Sequence, residues 1–446
     1  MEYQVAIIGG GPAGYTAAEK AGKAGMSVIL FEKEKLGGVC LNEGCIPTKT
    51  LLYSAKIADH SREGAKFGVK IGEVEIELPK LIARKSKVVR KLALGIKAKL
   101  EAVGVIIVNG EATIVDSKTV ECNDQRYSCE KLIIAAGSKP FIPPISGIDN
   151  IDFWTNKEAL ENKEIPQSMI IIGGGVIGME FASFFNSLGT ETTVIEMMDE
   201  ILGPIDNELS ALLRTEYTKR GVKFILSAKV CKMDKNGDDI EVTYTLDGEQ
   251  RVISANRVMI SVGRKAIMDI PGIDTLNLKV DNRGSIIVDK YMQTSSEGVY
   301  ACGDINGRSM LAHTAVREAE VAVAHILGKE DEMSYNAIPS VVYTNPELSS
   351  IGKSEEELIK EGIDYKAIKL PMSYSGRFVA ENEGLNGMCK LLIDSNNNIL
   401  GIHILGNPSS EFIVVANIAI EQGMKLDELK RYIFPHPTVS EILREL

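Results

Sequence analysis

Short apolar runs that end in clusters of glycine are the clearest pattern along this chain. Residues 5–8 (VAII) lead into the run GGGPAG, and residues 169–172 (MIII) lead into the run GGGVIG. A short apolar run followed by a glycine turn is typical of a buried strand of a parallel sheet that leads into a helix. The pattern therefore predicts one strand–turn–helix unit that occurs twice, 164 positions apart.

The repeat extends beyond the glycines. At the same offset Gly25 corresponds to Gly189, and a second apolar run in each copy ends in an acidic residue, Glu32 and Glu196. In a G-x-G-x-x-G fingerprint the glycines allow a tight turn, approach of a pyrophosphate and close packing of helix on strand, while the acid binds a ribose hydroxyl. One fingerprint is a weak signal, but two matching copies predict two dinucleotide sites.

The residues around each copy predict which nucleotide it binds. Residues 197–199 (MMD) carry no Arg or Lys to neutralise a 2′-phosphate, so we expect the second site to prefer NAD(H) to NADP(H). The first copy precedes Cys40 and Cys45. Because a dithiol beside a flavin relays two electrons, the first site suits a flavin dinucleotide and the chain is a candidate disulfide oxidoreductase.

The spacing of the two cysteines predicts a distorted backbone. In an ideal helix five residues turn through roughly 500°, which leaves the side chains about 140° apart. A disulfide needs Cβ atoms about 3.8 Å apart. We therefore expect a local distortion that Gly44 and Pro47 permit or force.

The remaining pattern predicts an α/β chain with two Rossmann-like domains and a further α+β domain. Strand–glycine endings close a first domain at 1–142 and a second at 143–264. A central segment follows at 265–333. From about residue 338 the pattern changes to shorter strands and then helices, so we expect a separate domain at 334–446.

Composition excludes several functions. The net charge of −11 argues against nucleic acid or an anionic membrane as the main partner. No apolar run approaches the length of about 18 residues that a membrane span needs, and we expect no secretory signal. Seven scattered cysteines suit a reducing cytosol, where a C-x4-C pair is catalytic rather than structural. We expect a cytoplasmic enzyme without a metal site.

These motifs, in this order, resemble the pyridine nucleotide–disulfide oxidoreductases with a C-x4-C dithiol, and within that family the dihydrolipoamide dehydrogenases. The resemblance covers essentially the whole chain. The motifs that carry it are residues 37–49, 173–181, 300–304, 310–313 and 436–441. It implies FAD at the first fingerprint, NAD at the second, a central segment that completes the FAD site, and a C-terminal dimerisation domain.

The resemblance also implies the redox relay. Cys40 would be the interchange thiol that meets the substrate, and Cys45 the charge-transfer thiol against the flavin. Lys49 would lie near the flavin and pair with Glu180, whose carboxylate stands within an otherwise apolar helix and needs a partner.

His436 would be the base that deprotonates a substrate thiol, oriented by Glu441. The sequence of residues 438–441 (TVSE) also predicts a capping box, and the two interpretations are compatible. In the family this histidine reaches the dithiol of the other subunit, which implies an obligate homodimer.

The nucleotide-binding residues implied by the resemblance form two sets. The FAD set is Gly9, Gly11, Gly14, Glu32, Lys33, Gly38, Val39, Lys49, Gly110, Ala136, Gly137, Ser138, Asp304, Met310, Leu311, Ala312 and His313. The NAD set is Gly173, Gly174, Gly175, Val176, Ile177, Gly178, Glu180, Glu196, Val230 and Gly263.

The substrate implied is dihydrolipoamide on a lipoyl-bearing protein of a 2-oxo acid dehydrogenase, acetoin dehydrogenase or glycine cleavage system. Phe434-Pro435 replaces a histidine common two positions before His436, and Val39 and Ala136 replace common threonines. Two alternatives stay open. One is a related reductase with another substrate, such as glutathione disulfide. The other is a flavoprotein acting mainly as a docking subunit of a multienzyme complex.

Overall fold

The structure is a computed structural model that describes residues 2–382, Gly384 and residues 386–446. In chain order its strands are β1 (Glu2–Ile8), β2 (Val28–Glu32), β3 (Ile106–Asn109), β4 (Thr113–Asp116), β5 (Thr119–Cys122), β6 (Gln125–Ile134), β7 (Ser138–Pro140), β8 (Ser168–Ile172), β9 (Glu191–Ile195), β10 (Lys223–Ile225), β11 (Lys229–Asn236), β12 (Asp239–Leu246), β13 (Glu249–Ala255), β14 (Arg257–Ile260), β15 (Arg264–Ala266), β16 (Val299–Ala301), β17 (Ser340–Val342), β18 (Leu348–Gly352), β19 (Lys366–Pro371), β20 (Met388–Ile393) and β21 (Ile399–Leu405).

The α-helices are α1 (Pro12–Lys23), α2 (Gly38–Asn42), α3 (Cys45–Arg62), α4 (Leu78–Ala102), α5 (Asn156–Glu161), α6 (Val176–Ser187), α7 (Asn207–Lys219), α8 (Ala312–Ile326), α9 (Glu355–Glu361), α10 (Gly376–Glu381), α11 (Ser409–Glu421), α12 (Leu426–Leu429) and α13 (Ile442–Glu445). Contacts divide the chain into two units. The first comprises residues 1–50, 82–141 and 263–334, and the second residues 51–81, 142–262 and 335–446. The domain boundaries expected from the sequence stay predictions.

The first unit is organised by a sheet of order β3-β2-β1-β6-β5-β4, with β16 also beside β6. Strands β1, β2, β3, β6 and β16 run parallel, and their register places Ile8 opposite both Phe31 and Ile134, with Ala301 opposite Ile134. These strands therefore end at one level. The loops that follow them meet at the carboxyl edge of the sheet, where parallel sheets bind ligands.

Helices α1 and α8 pack together in this unit. Their buried faces carry small side chains, including Ala17, Ala18, Ala319 and Ala322, all fully buried. Small residues let the two helix backbones approach closely, which fixes the loops that precede them.

The second unit contains the second copy of the predicted repeat. Its parallel sheet has the order β10-β9-β8-β14, and Ile172 lies opposite both Ile195 and Ile260. A three-stranded antiparallel sheet, β11-β12-β13, lies in the same unit. The predicted repeat is thus confirmed as two parallel sheets with the same local register.

The C-terminal part of the second unit is the predicted α+β region. Its five-stranded sheet has the order β17-β18-β21-β20-β19 and is antiparallel throughout. Helix α11 packs on β18 and β21, burying residues such as Ile413, Ala416 and Ala419. Among the described residues, no helix combines the length and apolarity needed to cross a membrane.

A buried ion cluster in the second unit links strand β20 with helices α7 and α9. The ammonium of Lys390 and the carboxylate of Asp206 are both fully buried and 2.7 Å apart, and Lys390 also contacts Glu208 at 3.0 Å and Glu355. Burial alone would lower the pKa of Lys390, but its carboxylate partners outweigh burial and raise it. Asp206 also caps helix α7 by accepting from the Leu209 N–H at 3.3 Å.

We expect Lys390→Met to destabilise the second unit strongly. It leaves the buried Asp206 carboxylate without its cation, and breaking a buried ion pair on one side costs about 3–5 kcal/mol. The matched control is Lys369→Met, whose half-exposed ammonium contacts Glu208 at 2.7 Å and should contribute under about 1 kcal/mol. Urea unfolding midpoints compare the two, and similar small losses would contradict this account.

The stability that the ion cluster contributes should depend on pH through Glu355. Burial would raise the pKa of Glu355, but hydrogen bonds from Lys390 and Tyr365 outweigh it and hold the pKa below its ordinary value. Stability from this pair is therefore present above the ordinary carboxyl pKa of about 4.3 and lost as the pH falls through the depressed value. The gap between wild type and Lys390→Met should narrow in acid.

Candidate active site

The dithiol segment is broken between its two cysteines, as the sequence predicts. Helix α2 ends at Asn42 and helix α3 begins at Cys45. A Cβ on Gly44 would lie 3.0 Å from the Val39 carbonyl oxygen, closer than most side chains approach, so the break favours glycine there. Pro47 lies in the first turn of α3, where a missing N–H is tolerated, whereas a helix that continued from α2 would be interrupted there, as the sequence predicts.

The break brings the two thiols into hydrogen-bond contact. Cys40 and Cys45 are both half-buried. The hydrogen bond with Cys45, then burial and then the negative charge of Cys45 raise the pKa of Cys40, while Lys49 opposes them. Losing both protons would place two adjacent charges in a half-buried site, so the pair keeps a proton on Cys40 at neutral pH.

The dithiol segment is also tied to the first glycine fingerprint. The Gly37 N–H donates to the Gly10 carbonyl at 2.8 Å. A Cβ on Gly38 would lie 2.7 Å from the Gly11 Cα, so only glycine permits this approach. A nucleotide in the first fingerprint therefore lies next to the segment that carries the dithiol.

Both fingerprints have the geometry of a dinucleotide turn. Gly9 has φ +101° and Gly173 has φ +103°, both in the region that favours glycine. A Cβ at these positions would lie 2.3 Å from the Ala135 oxygen and 2.4 Å from the Ser261 oxygen, respectively. The turn glycines thus pack against the strand that follows each repeat.

The other fingerprint glycines divide into crowded and open positions. A Cβ on Gly14 or Gly178 would lie 1.8 Å or 2.0 Å from the carbonyl of the turn glycine. A Cβ on Gly11 would meet only one atom, at 3.9 Å, and one on Gly175 would meet nothing within 4 Å. This open space at the start of helices α1 and α6 fits the pyrophosphates of FAD and NAD.

The acidic residue of each repeat is held in the same way. The carboxylate of Glu32 accepts from the Gly10 N–H at 2.7 Å, and that of Glu196 accepts from the Gly174 N–H at 2.6 Å. The second oxygen of Glu196 accepts from the Met198 N–H at 2.8 Å. Both carboxylates therefore stand at the glycine turn, where they fit a ribose hydroxyl.

Asp304 is anchored by a network that the sequence did not predict. The Ser138 hydroxyl donates to the Asp304 carboxylate at 2.5 Å, and Arg264 donates to the hydroxyl and carbonyl oxygens of Ser138, both at 2.7 Å. The pairing of β7 with β15 brings Ser138 and Arg264 together. Burial lowers the pKa of Arg264, while Asp304, Cys45 and Glu43 oppose the change. A largely buried cation, with 13% of its side chain exposed, thus stands within the field of the dithiol.

Glu318 is a second residue that the sequence analysis missed. Its side chain in helix α8 is fully buried, and its carboxylate accepts from the Gly303 N–H at 2.6 Å and from the Asn306 side-chain amide at 2.8 Å. Gly303 has φ +80° and ψ −159°, a conformation that favours glycine. Glu318 therefore holds the turn that presents Asp304. The available signal was an acid on the apolar face of a helix, as at Glu180.

Glu180 is 2% exposed, and its carboxylate accepts from the Tyr343 N–H at 3.1 Å. Its expected partner, Lys49, belongs to the other unit, and the pairing of the two stays a prediction.

His436 and Glu441 form the expected pair. The His436 Nδ1 lies 3.0 Å from one Glu441 oxygen, and the other oxygen accepts from the Thr438 N–H at 2.8 Å, which closes the capping box. The hydrogen bond from Thr438 and then that from His436 lower the pKa of Glu441. Because a carboxylate only accepts, Nδ1 carries the hydrogen, and Nε2 of the neutral ring is left as the base. The His436 side chain is 79% exposed.

The remaining predicted residues lie at turns and element ends. Of the FAD set, Gly38 and Val39 begin α2, Lys33 pairs with Glu111 at 3.3 Å, Gly110 follows β3, and Ala136 and Gly137 join β6 to β7. Met310 and Leu311 precede α8, and Ala312 and His313 begin it. Of the NAD set, Val176 and Ile177 begin α6, Val230 lies in β11, and Gly263 lies in the first unit before β15. Their binding roles stay predictions.

Three other residues have structural roles. His403 is fully buried between the Ser350 hydroxyl at 2.6 Å and the Lys353 carbonyl at 3.0 Å. The ring of His325 stacks on Tyr291. Burial, then Glu318, raises the pKa of the Cys302 thiol well above its ordinary value, which leaves it inert.

Comparison with known proteins agrees with this geometry. Residues 3–319 match the pyridine nucleotide-disulphide oxidoreductase family, and residues 338–446 match the family's dimerisation domain. A dihydrolipoyl dehydrogenase of Mycoplasma pneumoniae is 38% identical over 100% of this chain and 98% of its own length. One of Geobacillus stearothermophilus is 36% identical over 100% of this chain and 95% of its own.

Among solved structures, the HOCl-induced flavoprotein disulfide reductase RclA of Escherichia coli superposes with a TM-score of 0.88. It is 28% identical, and the match covers 100% of this chain and 99% of that protein.

We expect Glu318→Ala to weaken flavin binding. The change removes the acceptor that holds the Asp304 turn, and hydrogen bonds to a charged group contribute about 1.5–3 kcal/mol, so FAD affinity should fall roughly 10- to 100-fold. Glu318→Gln keeps a hydrogen-bond acceptor and should retain most of the FAD affinity. Fluorescence titration of the apoprotein with FAD measures both.

The control is Glu320→Ala, which removes a half-exposed acid of the same helix that pairs with Lys20 at 2.7 Å. Its FAD affinity should equal that of wild type. If Glu318→Ala binds FAD equally well, the turn does not depend on Glu318.

Proposed function

This chain belongs to the pyridine nucleotide–disulphide oxidoreductase family, and on that premise we propose that it oxidises dihydrolipoyl groups on a partner protein and reduces NAD⁺. The observation that carries the proposal is the hydrogen-bonded Cys40–Cys45 pair beside a dinucleotide turn. Full-length relatives at 36–38% identity named dihydrolipoyl dehydrogenase support lipoamide as the substrate. The enzyme uses FAD and NAD(H).

The thiol chemistry starts from a Cys40–Cys45 disulfide. One substrate thiol loses its proton to His436, and its sulfur attacks Cys40 while Cys45 leaves as a thiolate. The second substrate sulfur then displaces Cys40 from the mixed disulfide and closes the lipoyl ring, and its proton passes to Cys40. A raised pKa makes the Cys40 thiolate a poor leaving group, and the proton that it takes up lets it leave as the neutral thiol instead.

The residues around the dithiol prepare it for electron transfer. Bound FAD supplies the two-electron step between the dithiol and the nicotinamide. Arg264 keeps a positive charge in the field of Cys45, and Ser138 and Glu318 hold the Asp304 turn that we assign to the flavin. The Gly174 N–H fixes Glu196 for the ribose of NAD, and residues 197–199 offer no cation for a 2′-phosphate.

The proposed base, His436, belongs to the C-terminal region. The match to the dimerisation domain supports a homodimer. We infer that His436, whose ring is largely exposed in the single chain, acts on the dithiol of the partner subunit. We further propose a cytoplasmic enzyme whose substrate arm belongs to a 2-oxo acid dehydrogenase, acetoin dehydrogenase or glycine cleavage system.

A substrate panel tests the function. The purified holoenzyme should reduce lipoamide with NADH, and should turn over at least tenfold more slowly with NADPH, because Glu196 disfavours a 2′-phosphate. Glutathione disulfide should not be reduced. If the enzyme reduces another disulfide but not lipoamide, the redox relay is retained as the mechanism and lipoamide is rejected as the substrate. If a flavin-loaded protein reduces no disulfide, the docking-subunit alternative is favoured.

The acid–base pair gives a separate prediction. His436→Gln should lower kcat by about 10²–10⁴, the usual contribution of general base catalysis. Glu441→Gln should lower it less and shift the pH profile, since it weakens the hydrogen bond that orients the ring. Glu445→Gln, four residues further on and exposed, is the matched control and should behave as wild type. An unchanged pH profile in Glu441→Gln would remove Glu441 from the mechanism.

A further inference from the structure

Helix α4 has a charge opposite to that of the chain. It carries eight basic residues and one acidic residue, while the whole chain has a net charge of −11. Basic residues are thus concentrated on one element of an acidic protein. Such concentration produces a local positive potential that attracts acidic partners.

Four of the eight basic residues of α4 form a continuous exposed stripe. Arg84, Lys87, Arg90 and Lys91, here named the cationic stripe, recur at helical spacing and are all exposed. The opposite face is buried through residues such as Leu100, which is 1% exposed. The stripe therefore faces solvent.

The charges of the stripe are largely uncompensated. Within the part of the chain that the structure describes, Lys87, Arg90 and Lys91 form no ion pair. Leu94, one turn further on, is 60% exposed. The three cations are therefore available to a partner of opposite charge.

The stripe begins beside the dithiol helix. The Arg84 guanidinium donates to the Thr50 carbonyl oxygen in α3 at 3.0 Å. Thr50 lies five residues after Cys45, which corresponds to about 7.5 Å along the helix axis. A macromolecule bound to the stripe is therefore close to the redox pair.

We propose that the cationic stripe docks the acidic face of the protein domain that carries the dihydrolipoyl group. The inference rests on the proposed function, which requires a substrate tethered to another protein. Opposite charges steer such a carrier to the dithiol and raise the association rate by about 10- to 1,000-fold. The chain's overall acidity favours a compact acidic domain over nucleic acid or an anionic membrane, whose extended charge would meet the surrounding acidic surface.

The test compares a tethered and a free substrate. The triple variant Lys87→Gln, Arg90→Gln, Lys91→Gln of the holoenzyme is assayed with a reduced lipoylated domain of net negative charge and with free dihydrolipoamide. We expect kcat/KM for the domain to fall at least tenfold at low ionic strength, and its salt dependence to flatten. Turnover of free dihydrolipoamide should stay within twofold of wild type.

A matched control removes the same charge elsewhere. Lys223→Gln, Lys235→Gln and Lys366→Gln together neutralise three exposed lysines of the second unit and should leave both substrates unaffected. An equal loss in the control, an equal loss on the free substrate, or no loss on the domain would overturn the proposal.

A direct binding assay distinguishes failure of this docking proposal from failure of the proposed function. Fluorescence anisotropy of the labelled domain should show binding that the stripe variant weakens, even if the enzyme fails to turn lipoyl groups over. Equally tight, stripe-dependent binding of duplex DNA or anionic lipid vesicles would overturn the choice of partner. Loss of the dimer in the variant, seen by size-exclusion chromatography, would reassign the stripe to the subunit interface.

Discussion

The register of the parallel sheet in the first unit is the constraint on which its site depends. Ile8, Phe31, Ile134 and Ala301 end at one level, so the loops after four strands meet at one edge. The first glycine turn, Glu32, the Ser138 hydroxyl and the Asp304 turn all lie at that edge, in the loops or at the strand ends beside them. A shift of one residue in one strand would turn its buried side chains to the other face and separate these groups.

Buried charges hold the loops once the sheet has placed them. Glu318 binds the Gly303 turn, Arg264 binds Ser138, Glu180 accepts from Tyr343, and Lys390 joins Asp206. In each case a charged side chain has hydrogen-bond or ionic partners that offset part of its desolvation. The site is therefore positioned by polar contacts within an apolar framework, and such contacts have directions that apolar packing lacks.

Local sequence predicted the features that depend on neighbours in the chain. The two repeats and the break between Cys40 and Cys45 follow from local spacing, whereas the His436–Glu441 pair was implied by the family resemblance. The structure shows each of them. Arg264 and Glu318 were missed, since their partners are set by strand pairing and helix packing over long separations, although an acid on an apolar helix face was a usable signal.

The hydrogen bond between the two thiols links electron transfer to acidity. Cys40 keeps its proton, so a proton enters the pair together with two electrons when the disulfide is reduced. For a two-electron couple, each proton taken up lowers the midpoint potential by about 30 mV for every unit of pH. The dithiol is therefore a stronger reductant in alkaline than in acidic surroundings.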